Sequence, residues 1–148
     1  MGGVTINTDA SFKKGIGAYA YWIKCDHFTL KGSGYFKDKV KDPSVAEAQC
    51  IANAIVALTN YVKDLQFDYM VINTDSMWCV NGIKAPKNEI FTLIAGLLNK
   101  FKDKTNCNKL SVRHVKAHTG KKNKRSWVNN WCDQECKRQR IIAENLEV

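Results

Sequence analysis

Apolar and polar residues alternate over positions 4–9, and the tracts 17–24 (GAYAYWIK) and 28–36 are rich in aromatic and β-branched residues. Three strands are predicted, joined as a meander because the intervening linkers are short and turn-like. From Ser44 the period changes: Val45, Ala48, Ala52, Ile55, Leu58 and Val62 recur at helical spacing, with Pro43 just ahead, which predicts a long helix. Residues 67–74 form an apolar run of strand length, and 76–81 suit one or two helical turns ended by Gly82. After Pro86, Ile90, Ile94, Leu97 and Phe101 share a stripe, residues 109–115 alternate again, and a last helix is expected over 127–140. The order β-β-β-α-β-α-α-β-α is α/β, and one domain over residues 1–148 accommodates it. Strands separated by helices lie parallel to a neighbour, so right-handed crossovers place the fourth strand beside the first. The sheet expected is five-stranded and mixed, with three antiparallel strands, then two parallel ones, flanked by helices.

Composition adds a partner class. Of 148 residues 45% are hydrophobic, enough for a real core, and the formal charge is +9. That excess favours a polyanion through counterion release, although a soluble basic protein without such a partner has the same charge. Six cysteines, several of them in apolar runs, read as reduced thiols. Cys132 and Cys136 lie one turn apart, yet no second pair completes a tetrahedral zinc set. No apolar run reaches membrane-spanning length, and a cytoplasmic protein is expected.

The candidate chemistry sits in acids. Asp9 and Asp75 end two strands expected to be parallel neighbours, in the crevice where α/β sheets place ligands. Adjacent carboxylates repel unless a cation lies between them, and an oxygen-only donor set suits Mg²⁺ or Mn²⁺. Glu47, in the first turn of the long helix, and Asp133, one turn after Asn129, are two further acids in reach. Each has a plainer reading: Ser44 and Glu47 as an S-x-x-E capping box, Asp133 as a solvated charge, and Asp9 and Asp75 as Asx-turn formers. The repeat of NTDAS and NTDS at two strand ends weakens those readings together.

These segments, NTDAS at Asp9, AEAQCIANAIVAL at Glu47, NTDSMWCVNGI at Asp75, VKAHTG at His118 and NNWCDQECKR at Asp133, make the chain resemble type 1 ribonuclease H over almost its whole length. The resemblance implies a ribonuclease H-like fold and an endonuclease that hydrolyses the RNA strand of RNA/DNA hybrids with two Mg²⁺ ions, Mn²⁺ being possible. It implies 5′ phosphate and 3′ hydroxyl products. Asp9, Glu47, Asp75 and Asp133 then look like the metal ligands and His118 like the catalytic-loop histidine, while Asn129 matches an asparagine of the family. Ser11, Ser44, Ser76 and Asn81 are candidate contacts to the hybrid, since 2′-hydroxyls across the wide minor groove identify RNA. A monomer acting on a hybrid duplex, away from membranes, is expected.

The chain departs from the family at Met77, where an amide side chain is usual, and in KDPSVAE ahead of Glu47. A basic, Trp-containing handle found in some members is replaced by IKAPKNEI. Hybrid affinity is then expected from Lys13, Lys14, Lys84, Lys87, Lys100, Lys102 and Lys104. The tract from Lys116 to Ser126 reads as a loop whose Lys121, Lys122, Lys124 and Arg125 compensate for the missing handle. A non-catalytic hybrid-binding module and a metal-dependent DNA nuclease of the same fold are the alternatives.

Overall fold

The computed structural model describes residues 2–115 and 124–146, and for 124–126 the backbone alone. Strands β1 (Gly3–Lys13), β2 (Ile16–Lys24) and β3 (Thr29–Tyr35) precede helix α1 (Pro43–Tyr61). Then follow β4 (Tyr69–Thr74), α2 (Met77–Lys84), α3 (Glu89–Thr105), β5 (Leu110–His114) and α4 (Lys124–Leu146). The sheet runs β3-β2-β1-β4-β5, with the first three strands antiparallel and β4 parallel to both β1 and β5. This is the mixed sheet expected from the order of elements, and the crossover does place β4 beside β1.

The two-residue period of the strands sorts their side chains between two cores. On one face Val4, Ile6, Ile23, Met70 and Ile72 meet Ile51, Ile55 and Leu58 of α1 and Phe91, Ile94 and Phe101 of α3. On the other, Ala20 and Trp22 of β2 receive Cys132 and Cys136 of α4. Ala20 is small enough to let α4 approach β2 closely. Trp22 is 8% exposed, and the rings of Trp127 and Trp131 meet it edge-on. All six cysteines are free thiols, and Cys132 and Cys136 serve this core.

Several boundaries differ from the sequence reading, each for a local reason. Helix α1 starts at Pro43 with Asp42 as its N-cap, whose Oδ1 accepts from the Val45 N–H at 2.9 Å. Asp42-Pro43 combines a preferred cap with a proline preset for the first helical position. The S-x-x-E box is therefore not the cap: Ser44 lies inside the helix and Glu47 lies beyond its first turn, which holds no acid. Asp42→Ala is expected to cost about 1 kcal/mol in urea unfolding, and Ser44→Ala close to nothing.

Gly82 does not end α2 but lies inside it, where Phe91 packs against its bare backbone. Helix α4 runs from Lys124 to Leu146, so Lys124 and Arg125 belong to its first turn and not to a loop. Its far end is ordered because Ala143 is buried and Arg140 bonds both Glu144 and, through Nε, Ser11 Oγ at 2.7 Å. Among the described residues no helix is long and apolar enough to cross a membrane.

Candidate metal centre

Strand lengths create the site. Pairing of β1 with β4 ends at Asn7 opposite Asn73, while β1 continues against β2 from Asp9 opposite Ala20 to Lys13 opposite Ile16. Asp9 is thus inside β1 and not at its end, at a point where β4 no longer runs beside it. The gap so formed is occupied from β4 by Asp75, the residue after its last, and from α1 by Glu47. One oxygen from each of Asp9, Glu47 and Asp75 lies within 4.8 Å of the others.

Backbone and hydroxyl donors hold these acids. Asp9 Oδ1 accepts from the Ala10 N–H at 2.9 Å, and the Cys50 thiol donates to the Asp9 carbonyl. Glu47 is buried, and its Oε1 accepts from Thr8 Oγ1 at 2.5 Å and Thr74 Oγ1 at 2.9 Å. Asp75 is flanked by Ser76, which caps α2 by accepting from the Cys79 N–H, and its carbonyl lies 3.1 Å from His114 Nε2.

The packing of these acids raises their proton affinities. Burial, with Glu47, Asp75 and Asp133 beside it, pushes the Asp9 carboxyl up to about 9. Burial and then Asp75 push Glu47 up to about 7, against the hydroxyls of Thr8 and Thr74, and burial also raises Asp75. Carboxyls packed like this hold their protons more tightly than free ones, and a cation between them would favour the charged forms. The donors are all oxygens, which fits Mg²⁺ or Mn²⁺. The nearby thiols of Cys50, Cys132 and Cys136 are pushed up by burial.

Of the four acids expected, three converge and Asp133 flanks them. Its charge acts on Asp9 and Asp75, and its Oδ2 accepts from Lys137 Nζ at 3.0 Å. The other expected positions disperse. Ser11 is engaged by Arg140, Ser76 is the α2 cap, and Ser44 is half-buried in α1. Asn81 is exposed on α2, and Asn129 is half-buried on α4. His118, Lys121 and Lys122 lie outside the described residues, as do the side chains of Lys124 and Arg125.

Lys100, Lys102 and Lys104 sit at the C-terminal end of α3, where Lys104 Nζ bonds the Thr59 carbonyl near the end of α1. Thr59 is about 18 Å along α1 from Glu47 at 1.5 Å per residue. Lys13 ends β1, Lys14 follows it with a positive φ, and Lys84 ends α2.

The residues missed in the sequence are Thr8, Thr74 and His114. Thr8 and Thr74 had a visible signal in the repeated Asn-Thr-Asp triplet, of which only the acid was read. His114 had none, since its contact depends on β5 lying next to β4.

A five-stranded mixed sheet with a cluster of acids beyond the end of its fourth strand is the arrangement of a ribonuclease H-like fold. The RNase H family model matches residues 1–141, and the chain belongs to that family. Among solved structures it resembles the LC11 RNase H1, isolated from compost and crystallised with an RNA/DNA hybrid, at 15% identity and a TM-score of 0.65. That match covers 91% of this chain and 97% of the other. It also resembles RNase H1 of the archaeon Halobacterium salinarum at 13% identity and a TM-score of 0.62, covering 93% and 96%. The N-terminal RNase H domain of Rv2228c from Mycobacterium tuberculosis is similar over 99% of both chains, at 13% identity and a TM-score of 0.67. At such identities these likenesses establish the fold. No curated protein matches the chain.

Proposed function

We propose that this protein is a hybrid-directed endoribonuclease, cutting the RNA strand of an RNA/DNA duplex to leave 5′ phosphate and 3′ hydroxyl ends. The observation that carries the reading is the convergence of Asp9, Glu47 and Asp75 on one point in an RNase H sheet. A module that only bound the hybrid would gain nothing from clustered negative charge facing phosphates. The hybrid crystallised with LC11 RNase H1 supports the substrate class.

The residues divide the work by position. Asp9, Glu47 and Asp75 would hold Mg²⁺, two ions in this reading with Mn²⁺ as a substitute, and Asp133 adds charge at the flank. Divalent ions bound there supply a water activated for attack on the phosphate and charge stabilisation at the leaving oxygen. Thr8 and Thr74 keep Glu47 oriented as an acceptor, so its charge faces the cation and not the core. His118 moves a proton or assists product release, and Asn129 orients the substrate one turn from Asp133. Asn81, exposed on α2, is the better placed of the candidate contacts to the RNA strand, since Ser11 and Ser76 already serve α4 and α2. Lys13, Lys14 and the basic residues 121, 122, 124 and 125 meet phosphates.

The test is cleavage of one labelled RNA presented single-stranded, in RNA/RNA and in RNA/DNA duplexes, beside a DNA duplex of the same sequence. Mg²⁺-dependent cutting of the hybrid alone is expected. Equal cutting of the DNA duplex would move the protein to a broader nuclease class, and binding without cutting to a non-catalytic module.

A further inference from the structure

The triplet Asn-Thr-Asp occurs twice, at 7–9 and 73–75, and the third residue of each is one of the converging acids. Parallel pairing of β1 and β4 sets Asn7 opposite Asn73. On the face toward α4 the two amides bond each other, Asn73 Nδ2 donating to Asn7 Oδ1 at 2.9 Å, and Asn7 Nδ2 donates onward to the Trp22 carbonyl. One residue later the side chains point to the opposite face, toward α1. There Thr8 and Thr74 both donate to Glu47 Oε1, at 2.5 and 2.9 Å.

The hydroxyl hydrogens have little choice of direction. Thr74 Oγ1 accepts from the Ser76 N–H at 3.2 Å, which leaves its own hydrogen to Glu47. Thr8 has one other acceptor, the Asn73 carbonyl at 3.4 Å, well beyond its 2.5 Å contact to Glu47. Glu47 is 3% exposed, so water does not replace either donor. With Oε1 gripped twice, the carboxylate cannot turn about its last bond without breaking two buried hydrogen bonds, each costly to leave unmade.

We infer that Thr8 and Thr74 are positioning residues of the metal centre: two hydroxyls from two strands fix the carboxylate of Glu47 relative to Asp9 and Asp75 and thereby set the affinity for the cation. Each triplet then has three tasks. Its asparagine locks β1 to β4, its threonine aims the helix-borne acid, and its aspartate faces the cation. The inference rests on the metal-centre reading proposed above, and it identifies the parts of the chain that keep that centre in register.

A purely structural pair of threonines, present only to satisfy a buried acid, would affect stability and nothing else. The separating experiment is titration of metal-free protein with Mn²⁺ alone, reading free Mn²⁺ by electron paramagnetic resonance, with no nucleic acid present. Thr8→Val with Thr74→Val keeps the branched shape and deletes both donors, and is expected to weaken Mn²⁺ binding about tenfold, the usual cost of removing partners of metal ligands. Thr8→Ser with Thr74→Ser restores both hydroxyls and is expected to bind like wild type. A folded double Val variant with wild-type affinity would overturn the inference, as would wild-type protein that binds no Mn²⁺. If the double Val variant does not fold, the single ones decide it, with about threefold expected from each as half of that effect on a logarithmic scale and unchanged affinity in both overturning it. Wild-type protein that binds Mn²⁺ but cuts no hybrid would refute the nuclease reading and leave this inference standing.

Discussion

Asp9→Asn is expected to abolish metal-dependent cleavage and, in metal-free buffer at neutral pH, to raise the melting temperature of the protein. The two effects share a cause, because the acids that would hold cations burden the fold without them. Asp9 is pushed from 3.8 up to about 9 by burial and by Glu47, Asp75 and Asp133. Between those values the folded chain keeps a proton that the unfolded chain has lost, so stability falls as pH rises. The contribution is fully present below about 3.8 and is lost as pH climbs through about 9. Asparagine has no such proton to lose.

The gain from the substitution should therefore be near zero at pH 4 and grow towards neutrality, where about 1–2 kcal/mol corresponds to several degrees. Thermal melts across that range in EDTA measure it. Added Mg²⁺ should narrow the gap by stabilising wild type through binding. Activity should fall at least about a thousandfold, equivalent to several kcal/mol of lost transition-state stabilisation. A variant no more stable than wild type at pH 7 would show that the three carboxylates do not strain the metal-free fold.

The second large effect is Gly82→Ala, expected to destabilise the protein by about 1–3 kcal/mol, as overpacking does. The sign opposes the ordinary rule that alanine inside a helix is better than glycine by about 0.5–1 kcal/mol. A Cβ on Gly82 would lie 2.0 Å from Phe91 Cε2, and Phe91 is buried between α2 and the core with Trp78 packed against its ring. Gly96 in α3 is the control: nothing lies within 4 Å of a Cβ there. Gly96→Ala should stabilise by the ordinary amount, and urea midpoints of the two variants should move in opposite directions. Stabilisation by Gly82→Ala would mean that Phe91 has room to move and that α2 and α3 pack more loosely than their contact indicates.

The periodicity of the chain and the handedness of crossovers carried the fold, because both act on residues close in sequence or on the order of elements. Asp9 and Asp75 were legible because the same Asn-Thr-Asp triplet closes two apolar runs. What the sequence hid depends on register and competition. The roles of Thr8 and Thr74 need two strands aligned 66 residues apart. The start of α1 turned on rivalry between two plausible caps, and Asp42 with Pro43 prevailed over Ser44 with Glu47. Gly82 looked like a stop because nothing local records that Phe91 arrives against it. Lys104 reads in the sequence as one charge of a basic helix end, and only the packing of α3 on α1 shows that its Nζ bonds the Thr59 carbonyl.

The most direct measurement is single-turnover cleavage of a 5′-labelled RNA strand in an RNA/DNA hybrid under Mg²⁺, comparing wild type with Asp75→Asn. That substitution keeps the side chain's shape where β4 gives way to α2 and removes one of the three converging charges. Loss of cutting with hybrid binding retained is the expected result. Cleavage by Asp75→Asn within a few-fold of wild type would contradict a catalytic role for the carboxylate cluster.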